Sequence, residues 1–265
     1  MLPDLLVASK SDEASRSMLD YILEKEAFTQ SESDKIMEHG NFILAVFDER
    51  HLYLDNIEKF LSDNRVEAKG VIFLSRHSSK ADIKSITVHP TGNFSGALLG
   101  GKPGTLTLSY PVAMSASLRY LKENFSGDNF EITFEATHHG PLLNMMNYYI
   151  EIGTTEKQWE DREALEVVRG AIFDREDRKY ETFVGIGGGH YMPKITEYFL
   201  KNNINLGHMI PKYALDSITE DMILQAVEKT PGCKGFIMDK KGTKAQARDL
   251  LKKISDEREL EIVTI

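Results

Sequence analysis

The run Val71-Ile72-Phe73-Leu74-Ser75 decides the fold. Successive side chains of a strand point to opposite faces. Apolar residues at Val71, Ile72, Phe73 and Leu74 therefore predict a strand covered on both faces, as in a sheet flanked by helices. Other apolar runs of strand length are Leu5–Ser9, Phe42–Phe47, Ile86–His89, Phe130–Ala136, Thr182–Ile186, Leu206–Ile210, Gly235–Met238 and Leu260–Ile265. Helical patterns lie between them. Glu13–Glu26 carries Met18, Leu19, Ile22 and Leu23 on one side, and Pro111–Lys122 opens with a proline suited to a first helical turn. Glu156–Phe173 follows Thr155, with Gln158 at capping-box spacing, and Ser217 with Glu220 gives a similar start to a helix through Val227. A last helix spans Thr243 to Ser255. The alternation predicts an α/β fold, a mixed, mostly parallel sheet with helices on both faces. With no repeat or linker-like stretch, residues 1–265 are expected to form a single domain, with room for an inserted subdomain over roughly residues 90–130.

The 265 residues are 41% hydrophobic and 28% charged, which suffices for a sizeable core. A net charge of -9 argues only mildly against nucleic-acid binding, because binding depends on the local patch. The single cysteine, Cys233, excludes an intrachain disulfide and reads as a small buried residue beside Pro231-Gly232. Met1–Val7 has no basic, long-apolar leader pattern, and no run approaches the roughly 20 apolar residues of a membrane span. A soluble, cytoplasmic protein is expected.

Candidate chemistry gathers at strand ends. In Phe130-Glu131-Ile132-Thr133-Phe134-Glu135-Ala136-Thr137-His138-His139-Gly140-Pro141, alternation puts Phe130, Ile132 and Phe134 on one face and Glu131, Thr133 and Glu135 on the other. Carried on at that pitch, His139 falls on the Glu135 side before Gly140-Pro141 ends the ladder. Of eight histidines, His77, His89, His138, His139 and His190 stand at or just past the carboxyl end of an expected strand, where ligands bind in open α/β sheets. Imidazole and carboxylate donors suit zinc. The competing reading is that each imidazole satisfies a loop or a buried carbonyl; His39, His51 and His208 have only that reading.

Gly185-Ile186-Gly187-Gly188-Gly189-His190-Tyr191 joins a strand to a helix expected near Pro193. Such a loop either brings amides to an anionic ligand or simply makes a tight turn. Gly96-Ala97-Leu98-Leu99-Gly100-Gly101-Lys102 has Walker A spacing, but Pro103 stands where a Ser or Thr is needed, which excludes a nucleotide triphosphatase and leaves a substrate-contacting flap. Lys234, Lys240, Lys241, Lys244, Arg248, Lys252 and Lys253 surround the last helix, with Lys194, Lys201 and Lys212 as further members. They form either a solvated face or a phosphate-contacting patch.

Ser75-Arg76-His77-Ser78, His89 with Gly92-Asn93, Glu135–Pro141, Glu151-Ile152-Gly153-Thr154-Thr155-Glu156 with Trp159, and Gly185–Tyr191 occur in this order in one family. Over essentially its whole length the chain resembles the archaeal and plant type of D-aminoacyl-tRNA deacylase. The resemblance implies a core similar to peptidyl-tRNA hydrolase within the phosphorylase/hydrolase-like folds. It also implies zinc-dependent hydrolysis of the ester between a D-amino acid and the terminal adenosine of tRNA, and a monomer. Where the family commonly has Ala-Pro-Arg after the tyrosine, this chain has Met192-Pro193-Lys194, a point charge in place of a fork.

On this reading zinc is held by some of His77, His138, His139, His190 and Glu135. Glu135 or His139 serves catalysis, and His89 orients a ligand from behind it. Gly187, Gly188 and Gly189 amides face a developing oxyanion, with Tyr191 and Lys194 also contacting substrate. Rival readings are another hydrolase on the same scaffold, such as a peptidyl-tRNA hydrolase or metallopeptidase, and a non-catalytic tRNA-binding protein with structural zinc. A nucleoside-processing enzyme is a third.

Overall fold

The computed structural model describes residues 2–78, 83–127 and 130–265. Met1 and residues 128–129 of the expected insertion lie outside them. The strands are β1 (Asp4–Ser9), β2 (Thr29–Gln30), β3 (Ile36–His39), β4 (Phe42–Phe47), β5 (Gly70–Arg76), β6 (Ser85–His89), β7 (Gly92–Asn93), β8 (Thr105–Leu106), β9 (Glu131–Phe134), β10 (Met146–Gly153), β11 (Glu181–Ile186), β12 (Ile204–Ile210), β13 (Cys233–Met238) and β14 (Glu261–Thr264). The helices are α1 (Glu13–Lys25), α2 (Ile57–Asp63), α3 (Pro111–Asn124), α4 (Glu156–Trp159), α5 (Arg162–Phe173), α6 (Pro193–Lys201), α7 (Lys212–Leu215), α8 (Glu220–Glu228) and α9 (Ala245–Arg258).

Eight strands form a mixed sheet in the order β2-β3-β4-β1-β5-β10-β6-β9. Strands β4, β1, β5 and β10 run parallel, and β6 enters antiparallel to β10 with β9 parallel to it. A second sheet, β12-β11-β13-β14, is parallel throughout, and β7 pairs with β8 in a short ribbon. The α/β class and the mixed, mostly parallel large sheet agree with the sequence reading; the separate four-stranded sheet was not expected.

Strand alternation sorts the core. Leu6, Ala8, Ile72 and Leu74 pack on one face with Met18 and Ile22 of α1 and Val168 of α5. Leu5, Val7, Val71 and Phe73 pack on the other with Ile57 and Leu61 of α2. Both faces are buried, as an unbroken apolar run requires. Helix α3 packs against β6 and β9 of the large sheet and against β12 of the second. Its Ser115 Oγ accepts from Leu206 N at 2.9 Å.

Helix starts follow side-chain chemistry. Asp12 caps α1 by accepting from Ser15 N at 2.9 Å, and Pro111 occupies the first turn of α3. The expected helix Glu156–Phe173 is in fact two. Asp161 Oδ1 accepts from Glu163 N and Ala164 N at 3.0 and 3.2 Å and starts α5 afresh. The α8 cap is Thr219, whose Oγ1 accepts from Met222 N at 3.3 Å, in place of the expected Ser217. Strand β10 was not expected at all.

Candidate active site

Register, not a common strand end, assembles the site. Because β6 and β9 oppose β5 and β10, their carboxyl ends lie at different edges, which corrects the strand-end expectation. Tyr149 of β10 pairs with His89 of β6, and Glu151 pairs with Ser75 of β5 on one side and Thr87 of β6 on the other. Residues opposite one another or two apart share a face. Tyr149, Glu151, Ser75 and His89 therefore share one face of the sheet, and the His77 side chain turns onto Glu151 there.

Beyond β9 the chain crosses to the second sheet. Glu135 bridges to Tyr191, Ala136 N donates to His190 O at 2.8 Å, and Thr137 N donates to Met209 O at 3.0 Å. His139 takes a positive φ of 46°, so strand alternation does not extend to it. It is His138, not His139 as alternation suggested, whose Nε2 faces Glu135 Oε2 at 3.7 Å.

Three imidazoles converge here: one ring nitrogen from each of His89, His138 and His139 lies within 4.8 Å of the others. Each ring is tied through Nδ1 to a main-chain carbonyl: His89 to Pro90 O at 3.1 Å, His138 to Ala136 O at 2.7 Å and His139 to Gly140 O at 2.7 Å. A carbonyl only accepts, so each Nδ1 carries the proton and each Nε2 presents a lone pair. Burial, reinforced by the neighbouring imidazoles, holds the His138 and His139 pKa values well below the usual range, so both are neutral donors at pH 7. Tyr149 stacks on His89 with ring centroids 5.2 Å apart.

His77, Glu135 and His190 form a second donor group, and His89, Glu135 and Glu151 a third. His77 Nδ1 lies 2.9 Å from Glu135 Oε1 and 3.4 Å from Glu151 Oε2, and its Nε2 lies 2.9 Å from Tyr191 Oη. Burial alone would lower the His77 pKa, but Glu135 and Glu151 outweigh it and hold it at about 10. Burial opposes ionisation of the carboxyls too, yet His77 and His89 bring Glu151 down to about 2, and His190 and His77 bring Glu135 well below its usual range. His190 Nε2 is 3.0 Å from Glu135 Oε2. These Glu135 contacts have ion-pair distances without hydrogen-bond alignment. Both Glu135 oxygens and His89 Nε2 are buried with no aligned partner among the described residues. Buried polar atoms left in that state are rare. Together with the lone pairs of His138 and His139, they fit a divalent cation with nitrogen and oxygen donors.

The glycine loop is more committed than its sequence suggested. Gly187 N donates to Ile210 O at 2.8 Å and Gly189 N to Tyr191 O at 3.2 Å, which leaves Gly188 as the loop amide without an assigned acceptor. Lys194 Nζ pairs with Asp239 at 2.9 and 3.0 Å. His208 bonds Thr107 O and Thr137 Oγ1, in keeping with a structural histidine, and Cys233 is pushed up to about 11 by burial.

A cavity of about 370 Å³ opens over the cluster, lined by His77, His138, His139, His190 and Glu151, with Asp12, Arg50, His51, Arg76 and Leu99 around them. Glu151, Tyr149 and His51 were missed as site residues. The signal for Glu151 was there, a carboxylate inside the β-prone run Tyr148-Tyr149-Ile150-Glu151-Ile152.

The comparisons with known proteins agree with this geometry. A family model described as D-aminoacyl-tRNA deacylase matches residues 64–263. The chain is 50% identical to a D-aminoacyl-tRNA deacylase of Thermoplasma acidophilum, covering 98% of this chain and 99% of that one. It is 30% identical to the Pyrococcus furiosus protein of that name, over 98% of each. A crystal structure of a conserved protein of unknown function superposes with a TM-score of 0.93 at 32% identity, covering 99% of this chain and 95% of that chain. With a matching family model over most of its length and relatives matched end to end, this chain belongs to the D-aminoacyl-tRNA deacylase family.

Proposed function

We propose that the chain hydrolyses the ester of D-aminoacyl-tRNA, releasing the D-amino acid and tRNA, with zinc held by His89, His138 and His139 and by Glu135 with His77 or His190. The observation that carries this reading is the set of three Nε2 lone pairs, each fixed by an Nδ1–carbonyl bond, beside a buried carboxylate with no aligned partner. When bound, such an ion polarises an ester carbonyl and acidifies water.

The chain's own groups do the rest. Glu135 accepts a proton from the attacking water, whose oxygen bonds to the ester carbon. The carbon–ribose oxygen bond breaks, and His190, partly exposed beside Glu135, hands the proton to the leaving oxygen. The Gly188 amide faces the oxyanion. Tyr191 and Glu151 fix His77, a positioning role. Lys194 acts through Asp239, shaping the glycine loop without forking a phosphate.

A core similar to that of peptidyl-tRNA hydrolase belongs to the same reading, as does a single domain over residues 1–265. The packing of α3 on both sheets supports the latter. No helix among the described residues is long and apolar enough to cross a membrane. We place the protein in the cytoplasm, acting as a monomer.

The test is release of D-tyrosine and L-tyrosine from charged tRNA before and after chelation and zinc return, with metal content measured alongside. Selective D release that tracks zinc content is expected. Release from neither ester sinks the proposal.

A further inference from the structure

His190 stands between two cavities. One is the cavity of about 370 Å³ over the histidine cluster. The other, of about 660 Å³, is lined by Gly188, Tyr191, Lys194, Lys212 and Lys241 together with apolar groups such as Ile83. Among the described residues His190 alone lines both. We infer that the larger cavity seats the terminal nucleoside of the substrate with its 5′ phosphate, and that Lys212 and Lys241 are the phosphate contacts. This rests on the deacylase reading above.

An ester cleaved at the histidine cluster has two halves, and each needs a place on its own side of His190. The smaller cavity carries Asp12 and Glu151, carboxylates suited to the ammonium group of an amino acid. The larger offers apolar wall, the half-buried Tyr191 ring and ammonium groups, the combination that suits a base and a phosphate. Its volume falls in the roughly 300–1,000 Å³ range of small-molecule sites.

Ion pairing decides which lysines are available. Lys194 is neutralised by Asp239 at 2.9 Å. Much of the basic group that the sequence brought together is spent in the same way: Lys201 on Glu197 at 2.6 Å, Lys244 on Asp216 at 2.7 Å and Lys253 on Glu220 at 2.8 Å. Lys212 and Lys241 are exposed, and neither has a carboxylate partner among the described residues. Their main chains are nevertheless anchored at the site. Lys212 N donates to Gly188 O at 3.0 Å, and Lys241 N donates to Asp239 Oδ1 at 3.1 Å. The 239–242 turn also closes on the glycine loop, since a Cβ at Gly242 would lie 2.9 Å from Gly188 N. Two free cations are thus held against the loop beside His190 in a chain whose net charge is -9.

The test compares D-tyrosyl-tRNA with the D-tyrosyl ester of adenosine, which has no phosphate. In the Lys212→Ala/Lys241→Ala variant, the ratio of kcat/KM for tRNA to that for the adenosine ester should fall at least tenfold, through KM. The salt dependence of log KM should flatten by about 0.7 per lysine removed. An uncharged CCA-ended minihelix, followed by fluorescence anisotropy, should bind at least tenfold more weakly, and Lys→Arg variants should restore it. An unchanged ratio and slope, or unchanged minihelix affinity, overturns the inference, as does an equal loss on both esters. A wild-type protein that cleaves neither ester sinks the deacylase reading instead, and the minihelix measurement still decides the lysines.

Discussion

His77 and Glu135 approach to 2.9 Å although β10 and β6 separate β5 from β9 in the sheet. The contact forms because the chain leaves β9 at Phe134 and turns across the sheet face, where Glu151 waits on β10. The result is a buried imidazole between two buried carboxylates, each group satisfied electrostatically only while the others are present.

Removing one member should therefore be severe. Glu151→Gln is expected to lower the unfolding free energy of the metal-free protein by about 3–5 kcal/mol, since His77 and Glu135 remain buried. His77→Gln combined with Glu151→Gln should lose less than the sum of the single changes. Urea titrations of the set check this, and additive losses would refute the coupling.

The three-imidazole group predicts a loss of metal as well as of turnover. His138→Ala and His139→Ala should each reduce bound zinc and cut D-tyrosine release at least about 100-fold. Metal analysis of the purified variants separates this from a purely catalytic role. Full zinc content in either variant would remove that residue from the ligand set.

Stability without metal should pass through a maximum near pH 6.5. Burial brings His51 and His208 down to about 4 and lowers His138 and His139 further. Below about 6.5, the pKa of an exposed imidazole, the unfolded chain binds protons that these four refuse, so stability falls with falling pH. His77 is raised to about 10, so its contribution is complete below about 6.5 and is lost as pH rises through 10. The carboxylate contribution, with Glu151 at about 2, is present above the unfolded value near 4.3 and is lost below it. Urea midpoints at pH 5, 6.5 and 9 in chelator would test the dome; a plateau would contradict it.

The loop that brings Leu99 to the histidine cavity depends on Gly100. Its φ is +77°, and a Cβ there would lie 1.7 Å from Leu52 O. Gly100→Ala should lower stability by at least about 1–3 kcal/mol and raise KM, because backbone must move on the cavity wall. Thermal melting and steady-state kinetics measure both effects. Wild-type values in both would show that the loop has no part in the cavity.

Local pattern made much of the fold legible. Val71–Leu74 announces a strand buried on both sides, and Pro111 announces the start of α3. Strand β10 escaped because Asn147 and Glu151 interrupt its apolar character, and its central place comes from pairing with β5 and β6 rather than from its own composition. Glu151 was hidden with it and entered only as part of the motif that carries the family resemblance. His77, His138, His139, His190 and Glu135 were all singled out, yet their grouping was not readable. Which imidazole meets which carboxylate depends on the reversed direction of β6 and β9 and on the positive φ of His139. The split between α4 and α5 was missed because an Asp inside an amphipathic run can cap a helix as easily as ride on it.

The place of β10 also sets the order in which the protein can be made. Every other strand of the large sheet precedes it in the chain, yet it lies between β5 and β6. A nascent chain stalled before Met146 holds two fragments of that sheet, β1 to β5 and the β6–β9 pair, with facing edges and nothing between them. Emergence of β10 from the ribosome joins the fragments, buries those edges and delivers Glu151 to His77 in one event. Sheet completion and the first charge pairing of the site are one step in biosynthesis, and until then the two open edges are the part of the molecule most in need of protection from other chains.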